Sequence, residues 1–375
     1  MKILLLHSSS DEYGASKILL GNVRLLNREG HTTLVILSEP GPLVASLEAA
    51  GTKVIIEKLG ILRRKYLTPG GMINRFLTIR RASQQIQSLI RKENISLVFS
   101  NTTGVLAGAL AARSCGIRHI WHLHEIIEQP VLFKKMIGWF LRRYADDIIA
   151  VSAAVKNSWK EVVPEEKITV IHNGIDYSPY LEQTSHLREE LSLPPSTLVI
   201  GMAGRVHFWK GQSYFISIAA ILHRHNPELR FLLVGDAFPG YEYLYEEMKQ
   251  QIQSLGLSEV VQWLGYRRDM PAFMQTIDLL VLPSQLPDPF PTVILEAMAS
   301  GKPVIATHFG GAVEMIAPGI TGDLIPPDQP EKAASIIGNW LESNRLQQAG
   351  AAARTRVLAH FSLAAWEQKM LSVIA

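Results

Sequence analysis

Short apolar runs alternate with longer amphipathic segments along most of the chain. Such runs are typical of strands buried on both faces of a parallel sheet, and the segments between them have helical periodicity. In the first half the pattern predicts strands at residues 3–7, 33–37, 54–56, 97–100, 119–123 and 148–151, and a helix at 16–28. In the second half it predicts strands at 198–203, 230–234, 260–264 and 277–282, and helices at 214–224 and 242–255. Repeated strand–helix units predict an α/β protein with two Rossmann-like halves.

The clearest local signals lie in residues 281–307, VLPSQLPDPFPTVILEAMASGKPVIAT. The segment reads as a strand, a Pro-rich loop, a helix ended by Gly301 and Pro303, and a second strand. Asp288 lies in the loop and Glu296 lies in the helix. Ligands of parallel α/β sheets bind at the carboxyl ends of the strands, so we expect this loop to contact one. From spacing alone, a plain βα unit with two solvated acids fits equally well.

The start of the same helix favours an anion. The main-chain N–H groups of Phe290, Thr292 and Val293 would face a ligand there, and the helix dipole favours phosphate. Pro291 interrupts this row, because proline has no N–H to donate.

Length and composition limit the class of protein. A chain of 375 residues exceeds the size at which one core usually stops growing, so two domains are expected. A hydrophobic content of 47% with 19% charged residues excludes disorder. Cys115 is the only cysteine, which rules out an intrachain disulfide and suits a reducing compartment. No apolar run has the length of a transmembrane helix, and we expect a cytoplasmic protein.

Basic residues are concentrated in the first half. Residues 1–173 carry 23 Lys and Arg against 14 Asp and Glu, a formal charge of +9, and the remainder carries 14 against 20, or −6. A basic half indicates an anionic partner such as a membrane surface, an acidic glycan or a phosphorylated lipid. Segments 58–92 and 132–147 interleave basic and apolar residues and are candidates for peripheral membrane contact. Ordinary solvated helix faces give the same pattern. We expect no nucleic-acid partner, since no recognised binding motif is present.

Two further loops at predicted strand ends carry candidate binding residues. Gly204 and Arg205 are followed by Lys210, and an Arg fork with a mobile Lys charge suits a diphosphate, although both can be ordinary surface cations. His122 and His124 lie on one face of their strand. A buried structural histidine is the usual alternative, and a zinc pair lacks further ligands, so we expect no metal.

The loop after the first strand ends in small residues. Gly14 and Ala15 open the predicted helix with almost no side chain, which lets a ligand approach the backbone closely. No G-x-G-x-x-G is present, so a dinucleotide fingerprint is absent.

Together these motifs resemble the retaining glycosyltransferases of family 4, also called glycosyl transferases group 1. Asp288 and Glu296 resemble the E-x7-E signature, with Asp in place of the usual Glu and Pro291 where Gly is common. GRVHFWKG resembles G-R-x4-K-G, whose Arg and Lys hold the diphosphate of the donor. The resemblance extends from the loop at Gly14 to the C-terminal helix.

The resemblance implies roles for the matched residues. Arg205 and Lys210 would neutralise the leaving diphosphate, Glu296 would accept hydrogen bonds from the ribose, and Asp288 and His124 would lie near the transferred sugar. The other positions that it implies for the donor are Gly14, Ala15, Gly204, Gly265, Tyr266, Phe290, Thr292 and Val293. Glu125 follows His124 as in the family's His-Glu pair, and Glu125 and Asn101 are weaker candidates for acceptor contact.

The family implies a GT-B architecture, in which two Rossmann-like domains face a central cleft and a C-terminal helix crosses back to the N-terminal domain. We expect an acceptor-binding domain at 1–175 with the helix at 360–375, and a nucleotide-sugar-binding domain at 176–359. The expected reaction moves a sugar, with retention, from a UDP- or GDP-sugar to an acceptor hydroxyl of a glycan or lipid-linked acceptor, without cofactor or metal. The alternatives are a nucleotide-sugar epimerase of the same fold and a non-catalytic nucleotide-binding scaffold.

Overall fold

The structure, a computed structural model, describes residues 1–182, 185–237 and 240–375. The chain forms two compact units. The N-terminal unit comprises Met1–Asn173 together with Trp366–Ala375, and the C-terminal unit comprises Gly174–Ala365. Each unit is built on one parallel sheet, so the prediction of two Rossmann-like α/β domains is confirmed.

The N-terminal unit contains a seven-stranded sheet with the order β3-β2-β1-β4-β5-β6-β7. Its strands are β1 (Lys2–His7), β2 (Thr32–Leu37), β3 (Lys53–Ile56), β4 (Leu97–Ser100), β5 (Arg118–Leu123), β6 (Asp147–Ala150) and β7 (Ile168–Val170). Leu4 of β1 is in register with Leu34 of β2 and Val98 of β4. The strand order reverses between β1 and β4, which is where ligands bind in doubly wound sheets.

Helices connect these strands. They are α1 (Gly14–Arg28), α2 (Leu43–Ala49), α3 (Pro69–Glu93), α4 (Leu106–Cys115), α5 (Val131–Tyr144) and α6 (Ala153–Trp159). The start of α3 has Pro69 in the first turn and Thr68 accepting a hydrogen bond from Gly71, which is favourable capping chemistry. Asn94 ends that helix in the left-handed conformation.

The C-terminal unit contains a six-stranded sheet with the order β10-β9-β8-β11-β12-β13. Its strands are β8 (Val199–Ala203), β9 (Arg230–Val234), β10 (Val261–Trp263), β11 (Leu279–Leu282), β12 (Val304–Thr307) and β13 (Gly322–Ile325). The order reverses between β8 and β11. Phe215 and Phe231 pack edge to face in the core of this unit, with ring centroids 6.1 Å apart.

The helices of the C-terminal unit are α7 (Ser178–Leu181), α8 (Leu187–Glu190), α9 (Gln212–His225), α10 (Tyr243–Ser254), α11 (Met270–Thr276), α12 (Thr292–Ala299), α13 (Ala312–Met315), α14 (Pro330–Gly338) and α15 (Ser343–His360). The last helix, α16 (Leu363–Ile374), begins in this unit and continues into the N-terminal unit. There Trp366 is buried against Gly21, and the Glu367 carboxylate accepts two hydrogen bonds from Arg28.

Every strand and helix predicted above is present. The ends are shifted by at most two residues, except that the C-terminal helix begins at Leu363, three residues after its predicted start. Strands β7 and β13 were not predicted. β7 has only three residues and is buried only in part, and β13 begins Gly-Asp, a pair that is depleted in strands. Pairing with β12 determines the conformation of β13. Gly322 lies so close to the Val304 carbonyl of β12 that a side chain would not fit there.

Candidate active site

The loops at the carboxyl ends of β8, β9 and β10 are tied together by main-chain hydrogen bonds. Gly204 N–H donates to Val234 O, and Gly235 N–H donates to Gly265 O, both at 2.9 Å. Gly235 has a φ of 145°, and a Cβ there would lie 1.9 Å from the Gly204 carbonyl oxygen. Only glycine permits this approach, so Gly235 determines where the Gly204 loop lies.

Lys210 and Asp288 meet at the switch point of this sheet. Lys210 ends a short 3₁₀ turn after β8, and Asp288 lies in the Pro-rich loop after β11, the strand next to β8. Their ammonium and carboxylate groups form an ion pair in which both side chains are mostly buried. The two signature loops, predicted separately from the sequence, therefore converge at one point.

Glycines on both sides hold the backbone of this ion pair. Gly211, with a φ of 83°, lies so close to the Pro283 carbonyl that a Cβ would be 2.0 Å from its oxygen. On the other side, Gly311 N–H donates to Asp288 O at 2.8 Å, and a Cβ on Gly310 would lie 2.3 Å from that oxygen. The sequence reasoning missed Gly310 and Gly311, because a Gly-Gly pair after a strand signals only a turn.

Arg205 is half-buried just after β8, and Gln212 binds its main-chain oxygen at 3.0 Å. The pKa of the neighbouring His207 is lowered, first by partial burial and then by the positive charges of Arg205 and Lys210. The two cations thus create a positive field on the same loop, as the diphosphate hypothesis requires.

Glu296 is buried within α12, with 2% of its surface exposed. Its carboxylate lies at the hydroxyl of Tyr180, where burial, the Glu296 charge and the hydrogen bond to Glu296 all raise the pKa of Tyr180. Nearby, burial raises the pKa of Tyr177, whose hydroxyl donates to Phe361 O at 2.7 Å. A buried carboxylate needs donors, so Glu296 is not the solvated helix acid of the alternative interpretation. Tyr180 was missed, since it lies more than a hundred residues away in sequence.

The start of α12 lies at Thr292, preceded by Pro291 as the N-cap residue. Thr292 and Val293 are half-buried in the first turn, where main-chain N–H groups have no partner within the helix. The Phe290 side chain is buried against Phe361, with ring centroids 5.7 Å apart, so it fixes the loop through packing.

Gly265 and Tyr266 lie after β10. Gly265 has a φ of 67° and its carbonyl is bound by Gly235, whereas the Tyr266 side chain is 44% exposed. Just before them, Trp263 stacks on Tyr245 with centroids 4.4 Å apart and donates to Gly235 O at 2.9 Å. This stack was not predicted, because Tyr245 reads as an ordinary helix residue.

In the N-terminal unit, Asn101 joins Ala15 to His124. The Asn101 side-chain nitrogen donates to Ala15 O at 3.1 Å, and its oxygen lies 3.2 Å from His124 Nε2. Three elements, α1, β4 and β5, therefore bring predicted residues of the N-terminal unit into one cluster. Gly14 opens α1, and a Cβ added to it meets no atom within 4 Å, so the space beside it is open.

The histidines of this cluster are held neutral. Burial lowers the pKa of His119 and of His122 to about 3, and burial together with His122 and His7 lowers the pKa of His124 well below its ordinary value. The His122 and His124 rings contact each other, with centroids 4.1 Å apart. Among the described residues, neither ring nitrogen of His122 has a hydrogen-bond partner.

The Glu125 carboxylate binds the neighbouring loop after β4 and the main chain of its own loop. Its carboxylate accepts hydrogen bonds from the Thr103 hydroxyl, from Thr103 N–H at 3.0 Å and from His124 N–H at 3.2 Å, and burial raises its pKa. These bonds orient the loop that carries His124. Across residues 1–182, 185–237 and 240–375, no group of three or more His, Cys, Asp or Glu has the arrangement of a metal site.

Two family models match adjacent parts of the chain. Residues 14–178 match the model described as Glycosyltransferase Family 4, and residues 183–356 match the model described as Glycosyl transferases group 1. Together they include every candidate site residue that was predicted from the sequence. The chain therefore belongs to the GT4-type glycosyltransferases of the GT-B fold, and it is a transferase.

Named relatives agree with this family. The chain is 27% identical over 316 residues to the UDP-Gal:alpha-D-GlcNAc-diphosphoundecaprenol alpha-1,3-galactosyltransferase of Escherichia coli, covering 80% of this chain and 77% of the relative. It is 28% identical over 250 residues to the lipopolysaccharide core biosynthesis mannosyltransferase LpsB of Rhizobium meliloti, covering 64% and 68%.

Among solved structures, Anabaena HepE in complex with UDP-glucose is similar over the full length. The TM-score is 0.86 and the identity 28%, covering 100% of this chain and 99% of HepE. WaaG, a glycosyltransferase involved in lipopolysaccharide biosynthesis, shares the fold with a TM-score of 0.73 at 16% identity, covering 100% of both chains.

Within the part of the chain that the structure describes, no helix has the length and apolarity needed to cross a membrane.

Proposed function

We propose that this glycosyltransferase transfers a hexose from a UDP-sugar to a hydroxyl group of a glycan or lipid-linked acceptor, with retention of the anomeric configuration. The observation that carries the proposal is the pairing of Lys210 with Asp288 at the β8–β11 switch point, beside Arg205. Cations that bind a diphosphate and a carboxylate that binds a sugar must lie side by side, because the two parts of the donor are joined by one bond.

Arg205 and Lys210 would stabilise the negative charge that develops on the leaving diphosphate. Preorganised charges of this kind stabilise a transition state more than the ground state, and here they would take the role that a divalent cation has elsewhere. Thr292 and Val293 would add main-chain N–H groups around the same phosphates, and Gly204 would let the phosphates approach the backbone closely. Asp288 would bind the hydroxyls of the sugar and oppose the positive charge at its anomeric carbon.

Glu296 would accept hydrogen bonds from the two ribose hydroxyls. An ionised carboxylate accepts several hydrogen bonds at once, and Tyr180 occupies only part of that capacity. The base would lie against the main chain at Gly265 and beside Tyr266. We propose uracil, because HepE has been crystallised with UDP and UDP-glucose and the galactosyltransferase of Escherichia coli is named for UDP-Gal.

The family to which the chain belongs supports the proposal of retention. The acceptor hydroxyl would attack the face that the diphosphate leaves, and the departing phosphate oxygen would take the acceptor proton. No separate nucleophile is then needed, and Asp288 serves as an electrostatic partner of the anomeric carbon.

The N-terminal unit would bind the acceptor, and its exposed basic and apolar helix faces suggest that the acceptor is held at a membrane. On α5, Leu132, Lys135, Trp139, Arg142 and Arg143 are exposed along one side. On α3, the exposed side carries Ile73, Phe76, Leu77, Arg80 and Arg81. Exposed apolar groups flanked by Arg and Lys are typical of helices that lie on anionic lipid.

The test uses the full chain with purified nucleotides and donors. Calorimetry with UDP, GDP and ADP should show the tightest binding for UDP. UDP-galactose and UDP-glucose should then be incubated with GlcNAc-diphosphoundecaprenol and with core oligosaccharides, and the anomeric proton coupling of the product compared with that of the donor. Absence of nucleotide binding would reject the donor site, and nucleotide binding without turnover of any donor would favour the non-catalytic scaffold. Release of UDP without a glycosylated product would favour an epimerase, and an inverted product would refute retention.

A further inference from the structure

A continuous chain of hydrogen bonds runs through the polar cluster of the N-terminal unit. It joins five side chains in the order His124, Asn101, His7, Ser16 and Asp11. Asn101 Oδ1 lies 3.2 Å from His124 Nε2, and Asn101 Nδ2 lies 3.2 Å from His7 Nδ1. Ser16 Oγ then lies 3.0 Å from His7 Nε2 and 3.0 Å from Asp11 Oδ1. His7, Ser16 and Asn101 are buried, so solvent does not interrupt the chain.

The orientation of the Asn101 amide is fixed by the main chain. A carbonyl oxygen only accepts, so the amide group that lies 3.1 Å from Ala15 O must be the nitrogen. The same nitrogen has a second hydrogen, which points to His7 Nδ1, and this His7 atom must therefore accept. The amide oxygen, which only accepts, faces His124 Nε2, so His124 must carry its proton there.

The other end of the hydrogen-bond chain, at Asp11, requires the same tautomer of His7. The Asp11 carboxylate is held by Tyr13 N–H at 3.1 Å and by the Ser9 hydroxyl at 2.7 Å, which suits the ionised, accepting form. Ser16 has one hydroxyl proton, and it donates to Asp11. Ser16 Oγ is then the acceptor for His7, so His7 has its proton on Nε2. Both ends of the chain thus require the same tautomer of His7.

All four bonds therefore donate in one direction, from His124 towards the negative charge of Asp11. Hydrogen bonds in such a chain polarise one another, most of all where water is excluded. The polarisation places electron density on His124, and within the described residues its Nδ1 atom makes no hydrogen bond. Burial lowers the pKa of His7 to about 4, so a second proton does not break the order of the chain near neutral pH.

We infer that Asn101 is a positioning residue that holds His124 as the neutral Nε2–H tautomer, so that Nδ1 accepts a hydrogen bond from a hydroxyl group of the sugar substrate. The assignment rests on the proposed function for the identity of the hydroxyl, but the tautomer itself is a property of the free protein. It means that His124 binds substrate as an acceptor and does not act as a proton donor at Nδ1.

The experiment is nitrogen-15 NMR of the histidine rings in the full chain, without ligand, near neutral pH. Long-range proton–nitrogen correlations distinguish the two tautomers and the protonated ring. Variants His7→Gln and His124→Gln assign the two signals. We expect both rings to carry the proton on Nε2. A proton on Nδ1 of His124, or rapid exchange between its two tautomers, would overturn the inference.

Two variants of Asn101 test the positioning role. Asn101→Leu removes the bonds to both histidines, and the His124 signal should then become that of a tautomer mixture. Asn101→Asp keeps the shape but only accepts, so His7 should gain a proton on Nδ1 while His124 keeps its own on Nε2. Thr102→Val is the matched control, since the Thr102 hydroxyl is buried beside Asn101 and has no partner among the described residues. Its two histidine signals should be unchanged, and a His124 tautomer unaffected by Asn101→Leu would refute the role.

The outcome is separate from that of the proposed function. Absence of UDP binding would reject the donor assignment and leave the tautomer measurement valid. Conversely, tight UDP binding together with a mixture of His124 tautomers would support the transferase assignment and reject the positioning role of Asn101.

Discussion

Lys210 and Asp288 form an ion pair across two adjacent strand ends, although 78 positions separate them in sequence. In the free protein the cation proposed for the diphosphate is therefore held by the carboxylate proposed for the sugar. A donor that binds here must break the ion pair and replace it with its own contacts. Its diphosphate then faces Lys210, and the sugar bonded to that diphosphate faces Asp288.

The ion pair predicts opposite effects of Asp288→Asn on binding and on turnover. The substitution frees Lys210, so the affinity for UDP, which has no sugar for Asp288 to bind, should stay equal or rise several-fold, because the unpaired, mostly buried ammonium group gains a phosphate partner. Turnover should fall at least about tenfold, because the charge opposite the anomeric carbon is lost. Calorimetry with UDP and initial rates of transfer check the two halves. Weaker UDP binding with normal turnover would contradict the proposed arrangement.

Removing either cation of the diphosphate site should be severe. Arg205→Ala and Lys210→Ala should each lower turnover at least about tenfold, because each deletes a charge-assisted hydrogen bond worth roughly 1.5–3 kcal/mol. Initial rates at saturating donor measure the effect. Lys332→Ala, on the exposed side of α14, is the control and should leave the rate unchanged. Near-normal turnover in both site variants would reject the diphosphate site.

Glu296→Gln should weaken UDP binding by about tenfold or more, because a neutral amide replaces the charged acceptor of the ribose hydroxyls. The sharper measurement is a comparison of UDP with 2′-deoxy-UDP by calorimetry. If Glu296 binds the ribose, the variant should lose much less affinity for the deoxy nucleotide than for UDP. Equal losses for the two nucleotides would assign Glu296 a structural role with Tyr180. Glu331→Gln, an exposed acid of α14, serves as the control.

The variant Gly14→Ala distinguishes a steric effect on ligand binding from an effect on folding. A Cβ at Gly14 meets nothing within 4 Å, and alanine favours a helix more than glycine does, so Gly14→Ala should be as stable as the wild type or more stable. If donor or acceptor approaches this loop, the same methyl group should raise KM or lower kcat several-fold. Gly70→Ala is matched to it, because Gly70 also lies in the first turn of a helix with open space around it. Unchanged kinetics in both variants would place the substrates elsewhere.

The sequence allowed prediction of both sheets and of the loops that carry the site, because buried parallel strands and Gly-Pro signals are local properties. It also predicted the Lys210 and Asp288 loops separately. It could not predict that their side chains form an ion pair, or that Tyr180 lies at Glu296, because such contacts depend on the order of strands in the sheet. His7 was missed for a related reason: a single histidine at a strand end gains meaning only once Asn101 and Ser16 are placed beside it.

Acid should destabilise the N-terminal unit through its buried histidines. The pKa of His122 is about 3 in the folded protein and about 6.5 in an unfolded chain, so the unfolded state binds the proton first. The stabilising contribution is complete above about pH 6.5 and is lost as the pH falls towards 3, by about 2 kcal/mol at pH 5 for each such histidine. Urea unfolding at several pH values, followed by a probe in the N-terminal unit, measures the slope. His122→Leu, which replaces a ring without hydrogen bonds in the described structure, should make that slope shallower. An unchanged slope would show that His122 is not buried in the neutral form.

The exposed face of α5 should bind anionic vesicles, and the salt dependence of binding should show that electrostatic attraction causes it. The Debye length falls from about 10 Å at 0.1 M salt to about 3 Å at 1 M, so binding through Arg142 and Arg143 should weaken steeply. Sedimentation with phosphatidylglycerol–phosphatidylcholine vesicles should show pelleting at low salt, less at high salt, and little with phosphatidylcholine alone.

Reversing both charges, Arg142→Glu with Arg143→Glu, should abolish pelleting at low salt. Arg224→Glu, an exposed arginine of α9 in the acidic unit, should have no effect. If the wild type does not pellet at low salt, the exposed residues of α5 require another partner. If pelleting persists in the double variant, α3 or another surface carries the interaction.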